Sequence, residues 1–170
     1  ASQSSQAEAM KFFIETFRSQ KWRRTGIIWW NILDGWPQFS DAVVDYYFRR
    51  KRAYATIRRS QTPLCMMLRE PEEGEQEIVI CSDLRDRVPV RFTVSDLHTG
   101  QTLVQGEEVA GADCVTVVGA VPYAPEDKRI ILLEWESSLG RSWNYYLAGQ
   151  PPFDLNWYRT AMSRLEARGQ

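Results

Sequence analysis

Met10, Phe13, Ile14 and Phe17 recur at three- and four-residue steps behind the pair Ser5 and Glu8, an S-x-x-E capping pattern. That spacing predicts a helix over residues 5–21 that buries one stripe and turns Lys11, Glu15 and Arg18 to water. Beyond the basic turn KWRRTG the periodicity changes. Residues 26–32 are apolar on consecutive rather than alternate positions, the habit of a parallel strand buried on both faces. A loop with Gly35 and Pro37, the polar turn QFSDA and a second helix over about residues 50–60 follow. Helix, buried strand, long loop, helix is the order of an α/β domain, here for one and a half units.

From Thr62 the pattern becomes short alternating segments. LCMML, EIVIC, VPVRFTVSDL, QTLVQGEEV, CVTVV, RIILLEWE and WNYYLAG are separated by Gly-, Pro- and Asp-rich turns. Seven such strands over about ninety residues suit an immunoglobulin-like sandwich. Pro151 and Pro152 stop the last strand, and Asp154 caps a closing helix with Leu155, Tyr158, Met162 and Leu165 on one face. The expected fold class is therefore mixed. Residues 1–61 read as the end of a larger α/β domain, the last helix–strand–helix of a barrel, and residues 62–170 as an all-β sandwich of about seven strands with a short C-terminal helix. A lone parallel strand cannot satisfy its backbone without neighbours on both sides.

Composition narrows the functional classes. The 170 residues carry a net charge of −1, so nothing draws the whole chain to nucleic acid or an anionic membrane. No apolar run approaches the ~20 residues that span a bilayer. The first ten residues lack a basic and an apolar region, and no signal peptide is expected among them. Cys65, Cys81 and Cys114 lie far apart among apolar residues and read as buried thiols rather than metal ligands or a disulfide framework. His98, the only histidine, sits in a turn without an orienting partner. No cofactor or metal is expected. The basic run at residues 49–52, with Arg58 and Arg59 after it, reads as the solvated face of an amphipathic helix.

Three tryptophans fall within eight residues of GIIWWNILDGWP, beside Asn31 and Asp34, where the buried run ends. In a (β/α)₈ barrel such a position carries function, and indole faces with Asn and Asp suit a sugar ring and its hydroxyls. Trp29 and Trp36 filling a strand–helix interface, with Asn31 and Asp34 closing a turn, is an equally open reading of those residue types.

The longer stretch WWNILDGWPQFSDAVVDYYFRRKRAY resembles the barrel-end signature of glycoside hydrolase family 2, in its β-mannosidase-like branch. Trp30, Trp36, Pro37, Ser40, Asp45, Tyr46, Tyr47, Lys51 and Tyr54 fall on that pattern, and YYLAGQPPFDLNWY resembles the family's closing strand and helix. A Pro commonly precedes the helix Lys in the family; Arg50 stands there instead. The resemblance implies a retaining exo-β-glycosidase whose acid/base and nucleophile Glu lie after barrel strands four and seven, both upstream of Ala1. It implies no catalytic residue in this chain, a carbohydrate (β-glycoside) substrate, and a sugar-binding role for Trp30, Asn31, Asp34 and Trp36. It also implies a cis peptide after Trp30. Asp41 and Asp45 read as capping or pairing with Arg49 or Arg52. Strand edges and apolar sides left without partners would make such a piece self-associate. Two alternatives differ in class: a carbohydrate-binding sandwich using Trp135, Trp143, Tyr145 and Tyr146, and an immunoglobulin-like interaction module. The last leaves residues 26–37 unexplained.

Overall fold

The computed structural model describes residues 2–168. Helix α1 (Ser2–Arg18) presents Ala7, Met10 and Ile14 to Ala53 and Ile57 of helix α2 (Arg52–Ser60), with Val43 and Trp29 closing the cluster. Two expectations for α1 need correction. Ser5 lies within the helix rather than at its start, and Lys11 and Glu15 are buried rather than solvated. The pair is tolerated because its charges meet at 2.5 Å and further hydrogen bonds reach Glu15, as burial of ions requires.

Between the helices, residues 26–32 form no regular strand. Their backbone is served on one side only: Val43 N–H donates to Asn31 O at 3.1 Å and Val44 N–H to Ile32 O at 2.9 Å. Nothing among the described residues runs beside them as a second parallel neighbour, so the expected ladder reduces to the isolated Leu33–Val44 bridge. Ile28 is 93% exposed, the reverse of the burial its pattern predicts.

All seven expected strands are present: β1 (Leu64–Leu68), β2 (Glu75–Ser82), β3 (Val88–Asp96), β4 (Thr102–Ala110), β5 (Val115–Pro122), β6 (Arg129–Ser137) and β7 (Gly140–Ala148). They make two antiparallel sheets, β1-β2-β5 and β4-β3-β6-β7, consistent with a β-sandwich. Glu73 and Gly74, both at positive φ, turn β1 into β2, the conformation that a tight hairpin favours. Val90, Phe92 and Val94 alternate inward from β3 against Met66, Ile78, Ile80, Leu133 and Trp135.

Strand β6 is apolar on both faces for a visible reason. Ile131 and Leu133 enter the sandwich core, while Ile130 and Leu132 meet helix α3 (Leu155–Glu166) through Tyr158, Ala161, Met162 and Leu165. Asp154 caps α3 by accepting from Trp157 N–H at 2.7 Å, as expected, but Leu155 lies off the buried stripe and is exposed. Truncating a core residue such as Leu133 would cost about 2–5 kcal/mol.

The helical part is locked to the sandwich by polar contacts. Arg18 pairs with Asp83 at 2.7 Å, and Lys21 pairs with Asp83 and Asp113 at 2.5 and 2.6 Å. Burial works against the Lys21 charge, but the Asp113 and Asp83 carboxylates outweigh it and raise its pKa. The phenols of Tyr145 (β7) and Tyr158 (α3) both donate to Glu8 of α1. Cys65 and Cys81 are buried free thiols and Cys114 is half-buried. No described helix is long and apolar enough to cross a membrane.

Candidate functional site

The loop of residues 26–51 is held by one buried knot. Asp34, 2% exposed, accepts from the Ser40 hydroxyl through one carboxylate oxygen and from Lys51 Nζ at 3.1 Å through the other. Lys51 also donates to Ser40 O at 3.1 Å, and Asp34 N–H donates to Val44 O at 3.1 Å. Lys51 is the residue that opens α2, so the knot fixes the loop to the helix start. The Ser40 hydroxyl, with Lys51 behind it, holds the Asp34 carboxyl below the usual range. Asp34 is thus an anion with both oxygens engaged. It shapes the loop and does not reach outward.

The indoles do reach outward. Trp30 is 77% exposed and Trp36 64%, and the ring contacts among the described residues include neither. Asn31 is half-buried; its side-chain oxygen is buried and has no hydrogen-bond partner among the described residues. The Trp30–Asn31 peptide is cis, as is Pro151–Pro152. Trp29 turns the other way, into the α1–α2 cluster. Of the four residues expected to bind sugar, the structure therefore puts two rings on the surface, half-buries one amide and buries one carboxylate.

Asp45 organises the next turn, accepting from Tyr47 N–H and Arg49 N–H at 2.9 Å and from Arg49 Nε at 2.8 Å. Burial works to raise its pKa, but the Arg49 contacts prevail and lower it. Tyr46 and Tyr47 meet edge to face at 5.4 Å, and Phe39 and Phe48 stand exposed near them in sequence. The result is a belt of apolar and aromatic side chains around a loop with one rigid anchor.

Elsewhere the structure corrects two readings. Trp135 and Tyr145, offered as parts of a sugar platform on the sandwich, are 4% and 2% exposed. Arg59, expected on a solvated face, instead lies over the Trp143 ring at 3.7 Å, so that ring is covered too. Sequence reasoning missed the buried Glu15 cluster, in which Ser60 Oγ donates at 2.8 Å and Asn144 Nδ2 at 2.9 Å to the same oxygen. Among the described residues no group of three His, Cys, Asp or Glu is placed to hold a metal.

No protein-family model matches the chain. No curated protein matches it. Solved structures do. A β-D-mannosidase from Dictyoglomus thermophilum is similar over 87% of this chain and 19% of its own, at 20% identity and a TM-score of 0.70. The exo-chitosanase of Amycolatopsis orientalis is similar over 92% of this chain and 20% of its own, at 18% identity and a TM-score of 0.66. A further structure describes the inhibition of that enzyme, there called an exo-β-D-glucosaminidase, by a glucosamine-configured castanospermine; its TM-score is 0.65. The likeness is one of fold. It falls on glycoside hydrolases of the family the sequence resembles, and the chain spans about a fifth of their length.

Proposed function

We propose that this chain is the C-terminal part of a retaining exo-β-glycosidase acting on a β-mannoside or related β-glycoside. Residues 1–61 would form the end of its (β/α)₈ barrel and residues 62–170 an accessory immunoglobulin-like sandwich. One observation carries the reading: two indoles stand free on a loop that is anchored by a buried Asp34–Ser40–Lys51 knot. A loop with no ligand to meet would gain by burying those rings, since each aromatic buries roughly 150–250 Å². The shared fold of a β-mannosidase and an exo-chitosanase supports the substrate class.

In this reading residues 26–32 become barrel strand eight when the neighbouring strands pair with them. Trp30 then lies flat beneath the apolar CH face of the non-reducing sugar, and Trp36 flanks it. The unpartnered Asn31 oxygen accepts from a sugar hydroxyl, which would satisfy a buried group that is otherwise costly. Asp34 acts one layer down, by fixing the loop that carries the rings. The two catalytic carboxyls, about 5–5.5 Å apart in a retaining enzyme, would come from residues outside this chain.

The test compares the chain with a longer protein that contains it, using nitrophenyl β-mannoside, β-glucosaminide and β-glucoside. The longer protein should turn over at least one of them and release the β-anomer first in a proton NMR time course. The chain alone should turn over none. Turnover by the purified chain, or release of the α-anomer, would overturn the proposal.

A further inference from the structure

Lys51 and Arg49 of the basic run at the start of α2 serve the loop described above, but Arg50 and Arg52, with Arg58 and Arg59 after them, do not, and they do not simply face bulk water. Their side chains form one wall of a cleft of about 780 Å³. The opposite wall is the outer face of β3, β6 and β7, where Arg91, Thr93, Glu134, Glu136, Arg141 and Trp143 alternate with core residues such as Phe92 and Trp135. Eight of the lining residues are Arg or Lys, five of them between residues 50 and 59, against two carboxylates, Glu134 and Glu136.

Most of those cations are already engaged. Arg141 pairs with Glu136 at 3.2 Å, Arg168 with Glu134 at 2.5 Å, Arg91 with Glu107 at 2.7 Å and Lys51 with Asp34 at 3.1 Å. Arg52 reaches Glu166 at 3.8 Å. Three remain. Among the described residues Arg50, Arg58 and Arg59 have no carboxylate within 4.0 Å. Arg50 lies over Tyr54 at 4.6 Å and Arg59 over Trp143 at 3.7 Å, so aromatic rings position two of the three guanidinium groups in the cleft. Arg59 is moreover half-buried and feels the Glu15 and Glu166 carboxylates only from beyond ion-pair distance, so burial still works against its charge and a counter-anion is favoured.

We infer that this cleft is a second ligand site, which binds a sugar-sized ring bearing an oxyanion. Guanidinium forks match phosphate and carboxylate oxygens two at a time, which assigns the anionic group to Arg50, Arg58 and Arg59. The ring follows from size and lining. The volume lies within the ~300–1,000 Å³ typical of small-molecule pockets and far exceeds what a bare phosphate fills. Thr93, on the cleft face of β3, and Gln3 also line the cleft, and their polar side chains suit a polyhydroxylated body. The site adjoins the Trp30 loop through Arg50 and Lys51 but uses neither Trp30 nor Trp36, and it does not depend on the glycosidase reading.

The anion could be a phosphate or a carboxylate, so the experiment carries both. Binding to the chain is followed by calorimetry and by the indole N–H resonance of Trp143, using glucose 6-phosphate and glucuronate. Glucose and inorganic phosphate serve as controls. The expected result is a dissociation constant of about 1 mM or below for at least one sugar acid, with glucose and inorganic phosphate each at least tenfold weaker. Raising salt from about 50 to about 500 mM should weaken the interaction severalfold. Arg58→Ala with Arg59→Gln should weaken it about tenfold or more, whereas Arg23→Ala, outside the cleft, should not. If the Arg59 substitution disturbs the fold, Arg58→Ala alone and the salt series on the unaltered chain decide. No binding of either sugar acid, equal binding of inorganic phosphate, or affinity indifferent to salt would overturn the inference. Binding of an acidic peptide in place of both sugars would also overturn it.

Discussion

Replacing Asn144 by leucine should unfold more stability than any other single change at the junction of helices and sandwich. Asn144 is fully buried on β7. Its Nδ2 donates to Glu15 Oε1 at 2.9 Å and to Met66 O at 2.8 Å, and its Oδ1 accepts from Tyr145 N–H at 2.9 Å. One side chain therefore joins α1, β1 and β7. Leucine keeps the volume but abandons three groups that water cannot reach, each at about 1–3 kcal/mol. Glu15 keeps Lys11 and Ser60, so its share falls at the low end. The sum is about 3–7 kcal/mol, a large part of the ~5–15 kcal/mol that holds a domain together. Urea unfolding followed by tryptophan fluorescence should show the midpoint falling by about 2 M at an unchanged slope. Ser60→Ala should lose less, and the pair should be non-additive by about 1 kcal/mol because both act on one carboxylate oxygen. A loss below about 1 kcal/mol, or strict additivity, would refute the claim that this cluster fastens the helices to the sandwich.

Other expectations follow from the same structure. The belt of exposed Ile28, Trp30, Trp36 and Phe48 should make the chain self-associate and bind an apolar dye; a sharp monomer at about 50 μM without dye binding would count against it. Asp34→Ala should free the loop from α2 and speed proteolysis within residues 34–51 severalfold, with little change in the sandwich; an unchanged cleavage pattern would show the knot is dispensable. Burial, with Glu15 next, pushes the Cys65 thiol up to about 12, and burial with the Glu8 carboxylate raises the Tyr145 and Tyr158 phenols. In each case folding favours the protonated form. That contribution is complete below the unfolded values of about 8.5 and 10 and is lost as pH rises through the folded ones. The urea midpoint should therefore fall from about pH 9 upward while Cys65 stays unlabelled by a thiol reagent at pH 8, and a midpoint flat to pH 11 would contradict it.

The sandwich was legible because strand periodicity and turn residues are local signals; all seven strands and the Asp154 cap stand where the pattern puts them. Strand 26–32 was not, because a parallel strand is a property of its neighbours, and the chain supplies hydrogen bonds along one side only. Lys11 and Glu15 look like a solvated ion pair in any helical reading, and their burial depends on Ser60 and on Asn144, 129 residues away from Glu15. Leu155 fits the apolar stripe of α3 by spacing yet sits one turn before the helix meets β6. Trp30 and Trp36 stood out by residue type, whereas the inward turn of Asp34 needed the positions of Ser40 and Lys51 in space. The arginine cleft left no sequence mark beyond the basic run, since its second wall comes from three strands far along the chain.

The central claim is that Trp30 is the floor of a sugar subsite. Its most direct test is the kcat/KM of Trp30→Ala in a longer protein that contains this chain and is proposed to be a glycosidase, measured on its best nitrophenyl β-glycoside beside a variant altered only at exposed Leu139. The expected result is a fall of about tenfold to a hundredfold for Trp30→Ala, the equivalent of one lost ring-stacking contact, with the melting temperature unchanged and the Leu139 variant fully active. A Trp30→Ala enzyme that keeps the full kcat/KM would contradict the claim.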